Sequence, residues 1–206
     1  MPNHKYNSEG FILKVKIHAK KRILDNFFRI DEVNLQFERF DGAWSKPVRR
    51  YNVDRGEAAG ALIYLTDRRS FVFVRQFRYA VYSKGEEGWI DEIAAGVMEK
   101  EDTPLSCIRR ECIEESGYEI DSFHSLGWFY VSPGITNERI HLFIGMCTSD
   151  CKKHKGGGLD EENEDVYLVE MSREEVKRKL WDGYFKDGKT IIALQYFFLN
   201  ESRLLE

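Results

Sequence analysis

A short helix set between strand-forming segments is the feature that most constrains how this chain can fold. Thr103 can cap the helix, Pro104 suits its first position, and Gly117 can end it. These signals predict a helix over 103–116. Because a helix of this length needs to bury its apolar side, we expect one face of it to point into the core.

The helix carries an apolar stripe and, beside it, a group of carboxylates. The apolar residues at helical spacing are Leu105, Ile108 and Cys112, which we expect to face the core. The carboxylates of the neighbouring sector are Glu111, Glu114 and Glu115. Like charges one turn apart repel each other. The sector is therefore either a solvated face, the commoner case for a charge run taken alone, or a divalent-cation site.

Strand patterns flank the helix on both sides. They cover 27–30, 33–40, 48–51, 58–65, 71–78 and 89–94 before it, and 123–131, 140–146 and 166–169 after it. Asp41-Gly42 predicts a hairpin turn, and two further helices are predicted at 173–181 and 190–200, the second after a turn at 187–189. The sum is a mixed α/β chain with a small N-terminal β extension (1–56) and a main domain (57–206).

Charge balance and cysteine spacing argue against several classes of protein. Lys and Arg number 31 against 35 Asp and Glu, and the net charge of −4 gives no general attraction to nucleic acid. With no apolar run of about 18 residues and no signal-peptide pattern, we expect no membrane span and a cytoplasmic location. The four cysteines form no CxxC pair and predict reduced thiols, and the five histidines lack the spacing of a zinc site.

The spacing around the helix resembles the Nudix box, in which glycine, arginine and glutamates recur at fixed intervals. The matching residues are Gly96, Arg110, Glu111, Glu114, Glu115 and Gly117, with Cys112 and Tyr118 at the two apolar positions. Asp102 stands where the motif has glutamate, which keeps a carboxylate but shortens it by one methylene. The resemblance favours the cation site over the solvated face. It also implies an α+β Nudix fold, in which helices sandwich a mixed β-sheet.

By this resemblance, the helix binds Mg²⁺, with Mn²⁺ as an alternative, beside a diphosphate. The implied ligands are Glu111 and Glu115, supported by Glu114, Glu164 and the backbone carbonyl of Ala95. Arg110 is expected to orient the glutamates through charge-assisted hydrogen bonds.

Segments outside the box resemble the ADP-ribose and GDP-mannose diphosphatase branch of the family. They are 74–78 (VRQFR), 91–96 (DEIAAG, which leads into the box), Ser132-Pro133-Gly134 with Glu138, the Gly-rich and then acidic stretch 156–166, and 187–190 (DGKT). The branch implies Mg²⁺-dependent hydrolysis of a nucleoside diphosphate sugar to a nucleoside monophosphate and a sugar phosphate. The acidic run 160–165 favours ADP-ribose, whereas 187–190 favours GDP-mannose, so base and sugar stay open.

The branch also implies roles for residues outside the helix. Arg78 is expected to hold a phosphate, Glu138 to contact substrate, and Glu162 to act as the catalytic base. Glu115 as metal ligand and Arg110 as orienting residue complete the expected catalytic set. The N-terminal strands are expected to exchange between the subunits of a homodimer. Candidate nucleoside contacts are Phe28, Trp44 and Arg50, although Phe28 and Trp44 can equally pack a core.

Two alternatives remain for the function. One is a Nudix enzyme for another nucleotide, such as NADH, CoA or a nucleoside triphosphate. The other is a catalytically silent sensor that binds ADP-ribose. The presence of all three helix glutamates argues against the sensor, because loss of catalysis is expected to remove metal ligands.

Overall fold

The computed structural model describes residues 13–159, 161 and 164–205. Glu162, the residue predicted to be the catalytic base, lies outside this part of the chain. The chain forms two compact units. The first holds the chain up to Arg55 together with Ser132–Glu138, and the second holds the remainder.

The first unit is built on a three-stranded antiparallel sheet in the order β1-β2-β3. Its strands are β1 (Val15–Asp25), β2 (Arg29–Phe37) and β3 (Val48–Asp54). The two strand patterns at 27–30 and 33–40 are wrong as separate strands, because β2 runs through both. The Asp41-Gly42 turn is confirmed in the β2–β3 connection, where Gly42 has a φ of 81°.

Strand β1 was not predicted because its side-chain alternation is broken. The pairing with β2 shifts register between Ile17 and Ala19 and again between Arg22 and Leu24. Apolar and polar residues alternate from Val15 to Lys20, but Lys21-Arg22 and Ile23-Leu24 break this alternation, so the sequence does not show a strand of eleven residues. All eleven residues of β1 are exposed, and of β2 and β3 only Asp31 is buried.

The second unit is organised around a seven-stranded mixed sheet. Its strands are β4 (Glu57–Leu65), β5 (Ser70–Phe77), β6 (Trp89–Glu92), β7 (Ala94–Val97), β8 (Ser122–Tyr130), β9 (Arg139–Cys147) and β10 (Tyr167–Ser172). The main order is β10-β5-β4-β9-β8, and β4 and β9 run parallel. Strands β4 and β5 pair only near their shared turn. Further along, β7 pairs with β4 and β6 pairs with β5.

The single strand predicted at 89–94 is in fact two strands. The chain leaves β5 after Glu92 and joins β4 at Ala94, so the ladder is interrupted at the buried Ile93. The Ile93 N–H donates instead to the Thr190 hydroxyl at 3.0 Å. The sequence could not show this break, because the partner of Ile93 lies nearly a hundred residues away.

Among the described residues, four α-helices accompany the sheets: α1 (Tyr79–Tyr82), α2 (Pro104–Glu111), α3 (Arg173–Trp181) and α4 (Gly188–Leu204). Helix α2 continues into a π-helical turn at Cys112–Ser116. The predicted turn at 187–189 is instead the beginning of α4, whose first turn is capped by the Asp187 carboxylate accepting from the Thr190 N–H at 2.9 Å.

Apolar clusters on both faces of the larger sheet confirm the predicted mixed fold. On one face, Cys107, Ile108 and Cys112 of the α2 segment pack against Ile63 and Val72. On the other face, α4 packs through Ala193, Leu194 and Phe197 against residues such as Tyr64 and Phe71. Leu105 was expected in the buried stripe but is 39% exposed, and Cys107 takes its place. Within the described ranges, no helix is long and apolar enough to cross a membrane.

Candidate active site

The α2 segment buries two of its three glutamates against the sheet. Glu115 is 2% exposed, and both of its carboxylate oxygens are hydrogen bonded. The Gln76 side-chain amide donates to Oε1 at 2.6 Å, and the Ala95 backbone N–H donates to Oε2 at 2.9 Å. The start of β7 and the end of β5 therefore fix this carboxylate in place.

Glu111 lies one turn earlier, against the backbone of Gly96. A Cβ atom at Gly96 would overlap the Glu111 carboxylate, so a larger residue here would displace that carboxylate. The Arg110 guanidinium donates to Glu111 at 2.8 Å and to Glu114 at 3.1 Å. Of the hydrogen bonds expected between Arg110 and the helix glutamates, those to Glu111 and Glu114 are present.

Asp102 anchors the other side of the Arg110 guanidinium. The Asp102 carboxylate lies 3.3 Å from Arg110 Nη2 and accepts from the Ser106 hydroxyl and the Glu99 backbone N–H, each at 3.0 Å. Ser106 in turn forms a reciprocal capping box with Thr103. A shorter side chain than glutamate therefore still reaches Arg110, because it is held at the start of the helix.

Burial and mutual repulsion disfavour the charged forms of the two buried glutamates. Burial raises the pKa of Glu115 to about 8, with a smaller contribution from the negative charges of Glu111 and Glu164. Burial likewise raises the pKa of Glu111 to about 7, although Arg110 opposes the shift. Two adjacent carboxylates that resist ionisation form a site where a cation would be strongly stabilised.

The glycine-rich segment that follows β9 closes over the end of this helix. The N–H of Gly157 donates to the Glu115 carbonyl at 2.8 Å, and that of Gly158 to the Glu114 carbonyl at 3.0 Å. Glu164 is held nearby, where its carboxylate accepts from the Leu159 N–H at 3.3 Å. Its charge acts on both Glu111 and Glu115, which places it with the predicted carboxylate group.

The residues fit a hard divalent cation by their donor chemistry. Carboxylates of Glu111 and Glu115 lie beside the Ala95–Gly96 backbone, and oxygen donors of this kind suit Mg²⁺. In the part of the chain that the structure describes, no three acidic, histidine or cysteine side chains already converge in metal-binding geometry. Arg110 and Gln76 hold the carboxylates instead.

Arg78 belongs to an ion-pair network that sequence reasoning missed. Its guanidinium binds the buried Glu92 carboxylate at 3.0 and 2.8 Å, and Lys189 at the start of α4 donates to the same carboxylate at 2.8 Å. Glu92 above all, with Glu115 more weakly, raises the pKa of Arg78. The sequence signal for Lys189 was the DGKT segment, and the signal for Glu92 was the resemblance of 91–96 to the branch's entry into the box. Neither signal indicated that the two side chains form an ion pair.

Comparison with known proteins agrees with this geometry. A NUDIX domain model matches residues 54–193 of the chain. GDP-mannose pyrophosphatase of Escherichia coli K12 is 36% identical over 194 residues, which span 94% of this chain and 98% of that protein. GDP-mannose pyrophosphatase of Cronobacter sakazakii is 34% identical over 189 residues, which span 91% and 97%.

The chain belongs to the Nudix family.

A solved structure described as an ADP compounds hydrolase has the same fold. The two align with a TM-score of 0.69 over 93% of this chain and 94% of that one, at 17% identity. At that identity the likeness supports the Nudix fold and nothing finer. Nudix enzymes as a family use divalent cations, which is consistent with the buried carboxylates described above.

The predicted nucleoside-binding residues all belong to the first unit, outside the sheet that carries the Nudix helix. Phe28 is half-buried next to Phe27, and Trp44 is half-buried with the Lys16 ammonium 4.0 Å from its ring centre. Arg50 is exposed on β3. Glu138 pairs with Arg55 at 3.9 Å. The roles expected for Phe28, Trp44, Arg50 and Glu138 stay predictions.

Proposed function

We propose that this Nudix protein hydrolyses the diphosphate bond of a nucleoside diphosphate sugar and that GDP-mannose is its first candidate substrate. The observation that carries the proposal is the pair of buried glutamates, Glu111 and Glu115, whose carboxylates lie beside the Ala95–Gly96 backbone. Arg78 lies close enough for its charge to interact with that of Glu115. The products would be a nucleoside monophosphate and a sugar phosphate.

The choice of GDP-mannose over ADP-ribose rests on the named relatives. Proteins named GDP-mannose pyrophosphatase resemble this chain over nearly their whole length, at up to 36% identity. The DGKT segment at 187–190 also resembles the GDP-mannose members, and its Lys189 is tied through Glu92 to Arg78. A link between this segment and the phosphate-binding arginine makes it a reasonable place for sugar selection.

We assign the metal role to Mg²⁺, with Mn²⁺ as an alternative. Glu111, Glu115 and the Ala95 carbonyl would hold it, with Glu114 and Glu164 in support, and Arg110 would orient Glu111 and Glu114. When bound, the cation neutralises the diphosphate and polarises the phosphorus that is attacked. Arg78 would bind a phosphate oxygen while Glu92 and Lys189 fix its position. Glu162 would accept the proton of the attacking water.

We further propose that the protein forms a homodimer with exchanged N-terminal strands. We also propose that it is located in the cytoplasm. The exposed β1–β3 sheet supports the dimer, because an exposed sheet with apolar side chains is stabilised by a covering surface. The four cysteines, all free thiols, support a reducing compartment.

The test is hydrolysis of a substrate panel in Mg²⁺, with phosphate detected after a coupled phosphatase. The panel contains GDP-mannose, ADP-ribose, UDP-glucose, NADH, CoA and nucleoside triphosphates. We expect turnover to be concentrated on one nucleoside diphosphate sugar. Glu115→Gln should lower that turnover about 100-fold or more, whereas the exposed Glu101→Gln should leave it unchanged.

Different failures would reject different parts of the proposal. Preferred turnover of NADH, CoA or a nucleoside triphosphate would leave a Nudix hydrolase but reject the substrate class. No turnover with any compound, together with tight binding of ADP-ribose, would reject hydrolysis in favour of a sensor. Unchanged turnover in Glu115→Gln would reject the metal site.

A further inference from the structure

The second unit contains a cavity of about 890 Å³ that the Nudix site does not use. It lies between the segment leading into β6 and the end of α3 with the turn that follows. The residues that shape it include Arg75, Trp89, Asp91, Arg178, Lys179 and Tyr184. A volume of this size accommodates a small organic molecule.

An ion pair between a buried carboxylate and a partly exposed guanidinium forms the floor of the cavity. Arg75 binds Asp91 through two hydrogen bonds, at 2.7 and 3.0 Å, and the Tyr184 hydroxyl donates to the same carboxylate at 2.6 Å. The Asp91 side chain is fully buried, whereas Arg75 is 38% exposed. These hydrogen bonds hold the Asp91 carboxylate in place, and the Arg75 charge balances its charge. The guanidinium of Arg75 is the part of the ion pair that solvent or a ligand can reach.

Two aromatic rings are partly exposed in the same cavity. Trp89 is 50% exposed and packs on Phe77, with 5.6 Å between ring centres. Tyr184 is 40% exposed, and the Lys179 ammonium lies 4.2 Å from its ring centre. Large rings left partly open in a concavity provide flat apolar surfaces for a ligand.

The charged side chains that line the cavity balance each other. Its cationic residues are Arg75, Arg178, Lys179 and Lys186, and its acidic residues are Glu86, Glu87, Asp91 and Asp182. Lys179 is further compensated by Glu175 at 3.2 Å. A balanced lining gives no net attraction to an anion such as a nucleotide, yet it offers many hydrogen-bond donors and acceptors.

We propose that this cavity binds a neutral monosaccharide in its ring form. The CH face of the sugar would lie on the ring of Trp89. Its hydroxyl groups would bind the Arg75 guanidinium and carboxylates that line the cavity. Aromatic surface, a fixed ion pair and zero net charge together match a ligand that is uncharged, ring-shaped and rich in hydroxyl groups. The proposal does not depend on the substrate of the Nudix site.

Strand alternation separates this cavity from the Nudix site. On β5, Arg75 points into the cavity while the next residue, Gln76, binds Glu115. On β6, Asp91 points into the cavity while the next residue, Glu92, binds Arg78. Adjacent strand residues face opposite sides of a sheet, so the two sites lie on opposite faces. Loss of Nudix function should therefore leave binding in the cavity intact.

The test is saturation-transfer NMR on the full-length protein with D-mannose and D-glucose as separate probes. We expect transfer to the sugar ring protons that falls about fivefold or more in Trp89→Ala. Trp181→Ala is the matched control, since Trp181 is 90% exposed and does not line the cavity. Transfer should persist in Trp181→Ala and in Glu115→Gln. Tyr184→Phe, which keeps the ring and loses the hydroxyl, is a second variant and should also weaken transfer.

Three outcomes would overturn the proposal. The first is equal transfer in the wild type, Trp89→Ala and Tyr184→Phe. The second is loss of transfer in Glu115→Gln, which would place the sugar in the Nudix site. The third is an absence of saturation transfer to both sugars. The proposal would then fail even if a nucleoside monophosphate, used as a further probe, showed saturation transfer that depends on Trp89. None of these outcomes bears on whether the protein hydrolyses a nucleoside diphosphate sugar.

Discussion

At the scale of single residues, the site depends on space as much as on charge. The Glu111 carboxylate occupies the volume that any side chain at position 96 would fill. Gly96 belongs to the sequence pattern. The presence of glycine there is explained by this close approach of Glu111, a residue fifteen positions further along the chain. A pattern in the sequence records that glycine is present, and only the fold shows which atom requires it.

Substitution of this glycine should disable the site without unfolding the protein. In Gly96→Ala, the new methyl group displaces the Glu111 carboxylate, and we expect turnover to fall about 100-fold. Glu101→Ala is the control, because Glu101 is exposed and is not one of the residues that form the site. Steady-state hydrolysis, with circular dichroism to check folding, makes the measurement. Equal activity in the two variants would contradict the role given to Gly96.

The raised pKa values of the two glutamates predict how stability depends on pH. Their folded-state pKa values, about 7 for Glu111 and about 8 for Glu115, lie above the ordinary value of 4.5. Their contribution to stability is therefore complete below about pH 4.5 and is lost as pH rises through 7 and 8. Each pKa unit corresponds to about 1.4 kcal/mol.

We expect the melting temperature of the metal-free protein to fall between pH 5 and 8.5 as these groups ionise without a counter-charge. Added Mg²⁺ should reduce the fall, because it binds the ionised carboxylates. Glu115→Gln should show a shallower pH dependence than the wild type. Thermal melts in a chelator and in Mg²⁺ provide the comparison, and a metal-free melting temperature that rises over this interval would refute the expectation.

At the scale of elements, the sequence predicted regular segments well and irregular ones poorly. The helix at 103–116 was visible because its cap, its first-turn proline and its terminal glycine are local signals. The π-helical turn at Cys112–Ser116 and the strand break at Ile93 were not visible. Each is bound by groups far along the chain: the N–H groups of Gly157 and Gly158 donate to carbonyls of the π-helical turn, and the hydroxyl of Thr190 accepts from Ile93.

The end of the helix gives a prediction about stability. Gly117 has a φ of 77°, and a Cβ there would overlap the His154 carbonyl, so Gly117→Ala meets both strain and a backbone clash. Gly183 ends α3 with a φ of 70° and has no neighbour in the way. We expect a cost of about 1 kcal/mol for Gly183→Ala and about 3 kcal/mol for Gly117→Ala. Urea unfolding of both variants measures the difference, and equal costs would show that the clash is relieved.

At the scale of the whole molecule, the mixed fold followed from the order of strands and helices in the sequence. The route of the chain between strands did not. The β4–β9 pair is parallel and joins residues about eighty positions apart, and Ser132–Glu138 belongs to the first unit although it lies within the sequence of the second. The sequence likewise does not show whether Phe28, Trp44, Arg50 and Glu138 contact a substrate. Their proposed roles depend on a second chain, which no pattern in one chain specifies.

The proposed dimer predicts that specific activity depends on enzyme concentration. If exchanged β1–β3 strands complete each substrate site, dilution below the dissociation constant should lower the turnover per subunit. The measurement combines light scattering with hydrolysis rates over about a thousandfold dilution, a range wide enough to span a typical dimer equilibrium. A monomer at micromolar concentration, or a specific activity that stays constant as dimers dissociate, would reject strand exchange as a requirement.

If the exposed sheet of the first unit forms the proposed dimer, and only the dimer is active, gene dosage would affect activity more than proportionally. When most chains are monomers, the number of dimers grows with the square of the number of chains. Halving the amount of protein would remove about three quarters of the activity in that regime, whereas doubling it would raise activity about fourfold. If exchange of this strand, whose eleven residues are all exposed, is required for activity, a small change in expression would produce a larger change in activity.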